Sequence, residues 1–146
     1  MQVRRWRLSG QSIVFTNGVF DLLHTGHLSS LAEAAAQGRR LIVGMNSDAS
    51  VKRLKGAGRP IYNEAARAAM LANLLLTDAV VIFDEDTPRD LILSIMPDVL
   101  VKGGDYTVEQ IAGAAEVIEN GGRIHLANMV EGISTTQLIQ RLQQGE

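Results

Sequence analysis

The 146-residue sequence predicts a single α/β domain with a doubly wound, five-stranded parallel sheet. Three observations carry this expectation. Five short runs rich in Val, Ile, Leu and Phe lack strict polar alternation, the pattern of strands buried on both faces. Segments with helix-start and helix-stop residues lie between them, and repeated strand–helix–strand units cross over right-handedly to give a parallel sheet. Composition allows a core, with 46% hydrophobic and 21% charged residues. A domain of about 150 residues buries roughly 70% of the surface its unfolded chain exposes.

In chain order, MQVRRWRLSG (1–10) is basic and precedes a short apolar-rich run. That run is too short for the apolar region of a signal peptide or for a membrane span. Trp6 is expected to pack at an edge or a subunit contact. SIVFT (12–16) reads as the first strand. GHLSSLAEAAAQG (26–38) places Leu28, Leu31, Ala32 and Ala35 on one helical face and stops at Gly38. RLIVGM (40–45) is the second strand, and Asn63 caps an Ala-rich helix running to Leu76. AVVIF (79–83) is the third, after which Thr87-Pro88 sets a capping hydroxyl before a proline suited to the first helical position. DVLVK (98–102) is the fourth, followed by Thr107 and Gln110 at capping-box spacing. RIHLA (123–127) is the fifth, and Ser134 with Gln137 repeats that spacing at the start of the last helix. No linker, internal repeat or low-complexity stretch divides residues 1–146, so one domain is expected.

The net charge of −2 argues against a general nucleic-acid binder, which carries a basic excess to neutralise phosphates. Absence of cysteine excludes disulfides and thiolate metal sites and fits a reducing compartment. A cytoplasmic protein without nucleic-acid or membrane partners is the expectation.

Ligands of such folds bind beyond the carboxyl ends of the strands, where the strand order reverses. Polar or Gly-rich segments follow four of the runs: TNGVFDLLHTGH (16–27), NSD (46–48), KGGDY (102–106) and EGISTT (131–136). DEDTP, after the third, reads as a plain solvated turn. In the first segment Gly18 permits positive φ or close backbone approach, so main-chain N–H groups can face a ligand oxygen. His24 and His27 straddle a helix start, where free N–H groups and the dipole favour an anion. On the residues alone three readings stand: phosphate donors, a metal pair lacking a third ligand, or cap and surface residues. GISTT puts hydroxyls at another helix start, as phosphate ligands or as a simple cap by Ser134. KGGDY alone could be a tight turn. VKRLKGAGRP (51–60) gathers Lys52, Arg53, Lys55 and Arg59. That run is either a solvated face or a receptor for a second, phosphorylated substrate.

Together these residues resemble a known family. TNGVFDLLHTGH resembles the HxGH signature of the nucleotidyltransferase superfamily, and GISTT resembles its second signature, ISSTxxR. FTNGVFDLLHTGHLSSL, NSDASVKRLKGAGRP, EDTPRDLI, LVKGGDY and EGISTTQLI are most similar to the heptose 1-phosphate adenylyltransferases, over residues 12–142. The resemblance implies a Rossmann-like fold and transfer of an adenylyl group from ATP to a sugar 1-phosphate, with release of pyrophosphate. It implies that His24 and His27 contact the ATP phosphates and stabilise the transition state. Thr16, Asn17, Gly18 and Phe20 would line the phosphate cradle, and Lys102, Gly103 and Asp105 would border the nucleotide. Gly132, Ser134, Thr135 and Thr136 would bind the outer phosphates. Asp21, Asn46, Asp48, Lys55 and Arg59 would form the sugar-phosphate side. Mg²⁺ is implied as a partner of ATP, with no protein ligand named, and a homodimer is the default assembly. One departure stands out: Ile139 occupies the place of the arginine in ISSTxxR, and Arg141 lies two residues further on. A catalytic cation for the leaving group would then come from Lys55 or Arg59. A cytidylyltransferase acting on glycerol 3-phosphate or a related phosphate would use the same motifs, and a non-catalytic nucleotide sensor is the third reading.

Overall fold

Each strand begins at an apolar run or one residue before it. The computed structural model describes residues 2–131 and 133–145. In it β1 (Ile13–Gly18), β2 (Arg40–Asn46), β3 (Ala79–Phe83), β4 (Val99–Gly103) and β5 (Arg123–Ala127) form one parallel sheet in the order β3-β2-β1-β4-β5. All five expected runs are strands. The helices are α1 (Gln2–Leu8), α2 (Thr25–Ala35), α3 (Asp48–Lys55), α4 (Glu64–Ala72), α5 (Arg89–Ile95), α6 (Ala114–Glu119) and α7 (Thr135–Gln144).

Alternation along the strands sends side chains into two separate apolar layers. Val14, Leu41, Val43, Met45, Val99 and Val101 pack with Leu31 and Ala34 of α2 and Leu71 of α4. Ile13, Phe15, Ile42 and Leu100 pack on the other face with Trp6 of α1, Ile92 and Ile95 of α5, and Val117 of α6. Helices on both faces explain why the central strands show no polar alternation.

Several local expectations shift. The Asn63 side chain does cap α4, accepting from Ala66 N at 2.9 Å, but the helix stops at Ala72, short of Leu76. Pro88 is the N-cap of α5 and makes no side-chain cap bond, so Thr87 is one residue too early to cap. The Thr107 capping box closes a 3₁₀ turn (Val108–Gln110), and α6 begins later, after Gly113 at φ 78°. Trp6 is buried in the second apolar layer, with the Arg40 guanidinium 5.5 Å from its ring. Its helix is fastened by Arg7, which donates to Ile95 O (3.0 Å) and to Met96 O at the end of α5. Within the basic run 51–60, Val51–Lys55 are helical. Ser47 Oγ accepts from Ser50 N at 3.0 Å, Asp48 stands in the first turn, and Lys52, Arg53 and Lys55 stand in the last, each complementing the helix dipole.

β1 and β4 are neighbours at the middle of the sheet, and their following helices leave toward opposite faces. A crevice therefore opens beyond their carboxyl ends.

Candidate active site

The chain leaves β1 under strain. Phe20 and Leu22 adopt left-handed backbone, φ 52° and 50°, a conformation costly for residues with a side chain. The surroundings hold it: the buried Arg67 donates Nη1 to Val19 O at 2.8 Å, and Thr135 Oγ1 donates to Asp21 O at 2.9 Å. Gly18 serves by close approach rather than by positive φ, since a Cβ there would lie 3.0 Å from the Phe20 ring.

The two histidines then start α2 with a reciprocal cap. His24 Nδ1 accepts from Gly26 N (3.1 Å) and His27 N (3.4 Å), while His27 Nδ1 accepts from His24 N (3.3 Å). The rings stack with centroids 3.8 Å apart. Gly26 makes this possible, because a Cβ would meet the His24 ring at 2.9 Å. With both Nδ1 atoms accepting, the proton of each neutral ring belongs on Nε2, a donor without a partner among the described residues. Burial pushes the His27 imidazole down to about 4, helped by the adjacent His24 and opposed by Asp21. Burial lowers His24 as well. At neutral pH both are uncharged donors. The cap reading and the phosphate-donor reading are thus compatible: each uses a different nitrogen.

Beyond the strands lies a cleft of about 710 Å³. Asn17, Gly18, Phe20, Asp21 and His27 line it from the β1–α2 turn, and Asn46, Lys55 and Arg59 from the β2 side. Lys102 and Gly103 line it from β4, and Ser134, Thr135 and Thr136 from the start of α7. His24 lines a neighbouring hollow of about 370 Å³ with Ser134, Gln137, Leu138 and Arg141. Thus Arg141, the arginine displaced from the expected position, shares a hollow with His24. Thr16, Asp48 and Asp105 do not line the cleft, and Gly132 lies outside the described residues.

Hydrogen bonding sorts these side chains further. Ser134 Oγ caps α7 by accepting from Gln137 N (3.1 Å), and Thr135 Oγ1 is engaged with Asp21 O, which leaves Thr136 as the hydroxyl without a partner among the described residues. Asp48, expected on the sugar-phosphate side, instead pairs with Arg67 at 2.7 Å. Arg67 has no exposed side-chain surface and also donates to Tyr62 O (2.9 Å) and Asn46 O (2.9 Å). Asp21 is fully buried beside Arg59 (3.1 Å). Burial alone would raise its carboxyl, but hydrogen bonds from Tyr62 N, Ile61 N and Arg59 hold it below the ordinary carboxylate range. Lys102 is depressed by burial, and its ammonium sits 5.0 Å from the Tyr106 ring centroid.

Some of the cleft was absent from the sequence reading. Asp86, Thr87 and Pro88 line it, so DEDTP is part of the cleft wall rather than a plain turn. The β3–α5 connection is pulled in by α3: Ser47 Oγ bonds Asp84, and Arg53 donates to Asp86 at 3.0 Å and to Asp84 O. Only a correct reading of α3 as a helix could have foretold this. Tyr106, Ile111 and Met129 add an apolar wall.

Among the described residues no group of three His, Asp or Glu side chains is disposed to hold a metal ion. No helix among them is long and apolar enough to cross a membrane.

A helix start and a backbone cradle facing one another across the switch point of a parallel sheet define a nucleotide-handling α/β protein. Residues 15–141 match the model of the cytidylyltransferase-like family, and the chain belongs to that family of nucleotidyltransferases. It is 55% identical to the bifunctional protein HldE of Rhodospirillum rubrum over 143 residues, which is 98% of this chain and 29% of that protein. It is 58% identical to the bifunctional protein HldE of Acidiphilium cryptum over 138 residues, 94% of this chain and 28% of that one. The chain therefore spans less than a third of the length of these relatives. Among solved structures, a lipopolysaccharide core biosynthesis protein from Thermoplasma volcanium superposes with a TM-score of 0.66 at 27% identity, over 83% of this chain and 98% of that one.

Proposed function

We propose that the chain transfers the adenylyl group of ATP to a heptose 1-phosphate, giving an ADP-heptose and pyrophosphate. The observation that carries this reading is the meeting of His27, Lys55, Arg59, Lys102 and the first turn of α7 around one cleft. Identity of 55–58% to proteins named HldE, and likeness to a lipopolysaccharide core biosynthesis protein, support a sugar phosphate as the acceptor.

In this reading a phosphate oxygen of the sugar attacks the α-phosphorus, the bond to the β-phosphate oxygen breaks, and pyrophosphate leaves. The attacking oxygen is already anionic, so no general base is needed. Catalysis consists of alignment and of stabilising charge on the transferring and leaving groups. The Nε2–H donors of His24 and His27 suit the transferring phosphate, and the free N–H groups of α7 with the Thr136 hydroxyl suit the outer phosphates. Lys55 and Arg59 lie toward the acceptor, and Lys102 with Tyr106 and Met129 toward the nucleoside. Mg²⁺ would accompany the triphosphate and take most of its ligands from phosphate and water. The reaction belongs to the cytoplasm, and a homodimer, read by light scattering, belongs to the same proposal.

Purified protein with Mg²⁺, each nucleoside triphosphate and a panel of sugar and alcohol phosphates tests the reading through pyrophosphate release. Release with ATP and heptose 1-phosphate is expected. Release with CTP and glycerol 3-phosphate, and none with the expected pair, would overturn it in favour of a cytidylyltransferase.

A further inference from the structure

Asp21 stands at the junction of the two sides of the cleft. Its side chain has no exposed surface, and its carboxylate is shared among Arg59 Nε (3.1 Å), Ile61 N (2.7 Å) and Tyr62 N (3.0 Å). Its main-chain oxygen accepts from Thr135 Oγ1 (2.9 Å) at the start of α7. A buried carboxylate with both oxygens engaged in this way has little left to offer a sugar hydroxyl.

Arg59 is the group on which that arrangement acts. Its side chain retains 15% of its exposure and lines the cleft, and its Nε is taken by Asp21. Its two Nη groups have no hydrogen-bond partner among the described residues. The segment that follows is fixed from the other side by Arg67, through Tyr62 O. A guanidinium anchored at Nε with both amino groups free is preorganised for two-point binding of a phosphate, a geometry that a lysine cannot offer.

We infer that Asp21 is a positioning residue, which holds Arg59 as the receptor for the phosphate of the acceptor substrate and ties that receptor to α7 through its own main-chain oxygen. This rests on the proposed function only in taking the acceptor to be a phosphate monoester. Asp21 thereby moves from direct substrate contact to action through Arg59.

A double-mutant cycle tests it by calorimetric titration of heptose 1-phosphate and glycerol 3-phosphate, each with and without the α,β-methylene analogue of ATP. Asp21→Asn and Arg59→Ala should each weaken monoester binding about tenfold, the scale of a lost charge-assisted contact, and change affinity for the ATP analogue less than about twofold. The double variant should bind the monoester no more weakly than Arg59→Ala alone. Additive losses would mean that Asp21 touches the substrate itself and would overturn the inference, as would unchanged monoester binding in Arg59→Ala. Should Asp21→Asn fail to fold, Arg59→Lys carries the test. It keeps the charge but loses the Nε anchor, so it should weaken binding like Arg59→Ala, and wild-type binding by it overturns the inference. Failure of the wild-type protein to bind either monoester also overturns it, whereas failure to release pyrophosphate counts against the reaction alone.

Discussion

His24 uses one nitrogen to start a helix, and its other has no partner among the described residues. Replacement by Ala removes both, with about 1 kcal/mol of stability lost through the cap. Asn at this position can still cap, so His24→Asn should melt within about 0.5 kcal/mol of wild type and yet lose at least about 10²-fold in kcat. Parallel thermal melts and pyrophosphate-release kinetics read both quantities; near-normal turnover in His24→Asn would return the residue to a purely structural role. His27 gives a prediction in pH. Its folded imidazole titrates near 4, held down by burial first, whereas an unfolded chain takes up that proton near the ordinary 6.5. The unfolded state therefore binds more protons between those values, so this contribution is whole above pH 6.5 and is lost progressively toward pH 4. Urea titrations at pH 7, 6 and 5 should show a decline that is shallower in His27→Gln. The place of the pair at a helix start was legible in the sequence, from two scarce imidazoles flanking a glycine just before an apolar helical pattern. Their capping role stood there only as one of three readings, because histidine is not an ordinary cap residue and the arrangement depends on the absence of a Cβ at Gly26.

The strands were legible because burial on both faces leaves an unbroken apolar run, which local composition reports directly. α3 was obscured by its own charge. Its first turn carries Asp48, its last turn carries three cations, and a Gly-rich stretch follows, so the run read as a solvated face or a phosphate receptor and its helix went unread, even though Ser47 is an ordinary helix cap. With α3 unrecognised, the attachment of DEDTP to it could not be seen, and a wall of the cleft was taken for a turn. α1 was hidden for a different reason: a seven-residue helix has little propensity signal and is held by tertiary contacts, chiefly Trp6. Trp6→Ala should accordingly cost about 3 kcal/mol in denaturant unfolding. Because Trp6 packs beneath the sheet and lines none of the cleft, the kcat of the folded fraction should stay near wild type. A large fall in kcat at unchanged stability would contradict the separation of core and cleft.

At the scale of the molecule, the order β3-β2-β1-β4-β5 decides where function can be. It makes β1 central, with partners on both sides, and puts the switch point beside the one strand that ends in the histidine turn. The sequence revealed the edge at which the cleft opens, since polar segments follow the strands, but not which of its residues approach one another. Thr16, on the expected first strand, and Asp48, in the first turn of α3, lie outside the cleft, for side-chain direction is set by register and by partners such as Arg67. The same order predicts a gradient of protection. Hydrogen exchange should be slowest in β1, β2 and β4, whose apolar residues are covered on both faces, and faster in the edge strands β3 and β5, which expose Ile82 and Leu126. Equal exchange along all the strands would mean that the edges are covered by something further.

The uncharged state of the stacked imidazoles carries over to inhibitor chemistry. Neutral N–H donors need acceptor oxygens but not a full negative charge on them, so under the proposed function an uncharged sulfone or sulfonamide bridge is a reasonable replacement for the phosphate between nucleoside and sugar. Such bridges shed most of the anionic burden that keeps nucleotide mimics from crossing lipid barriers.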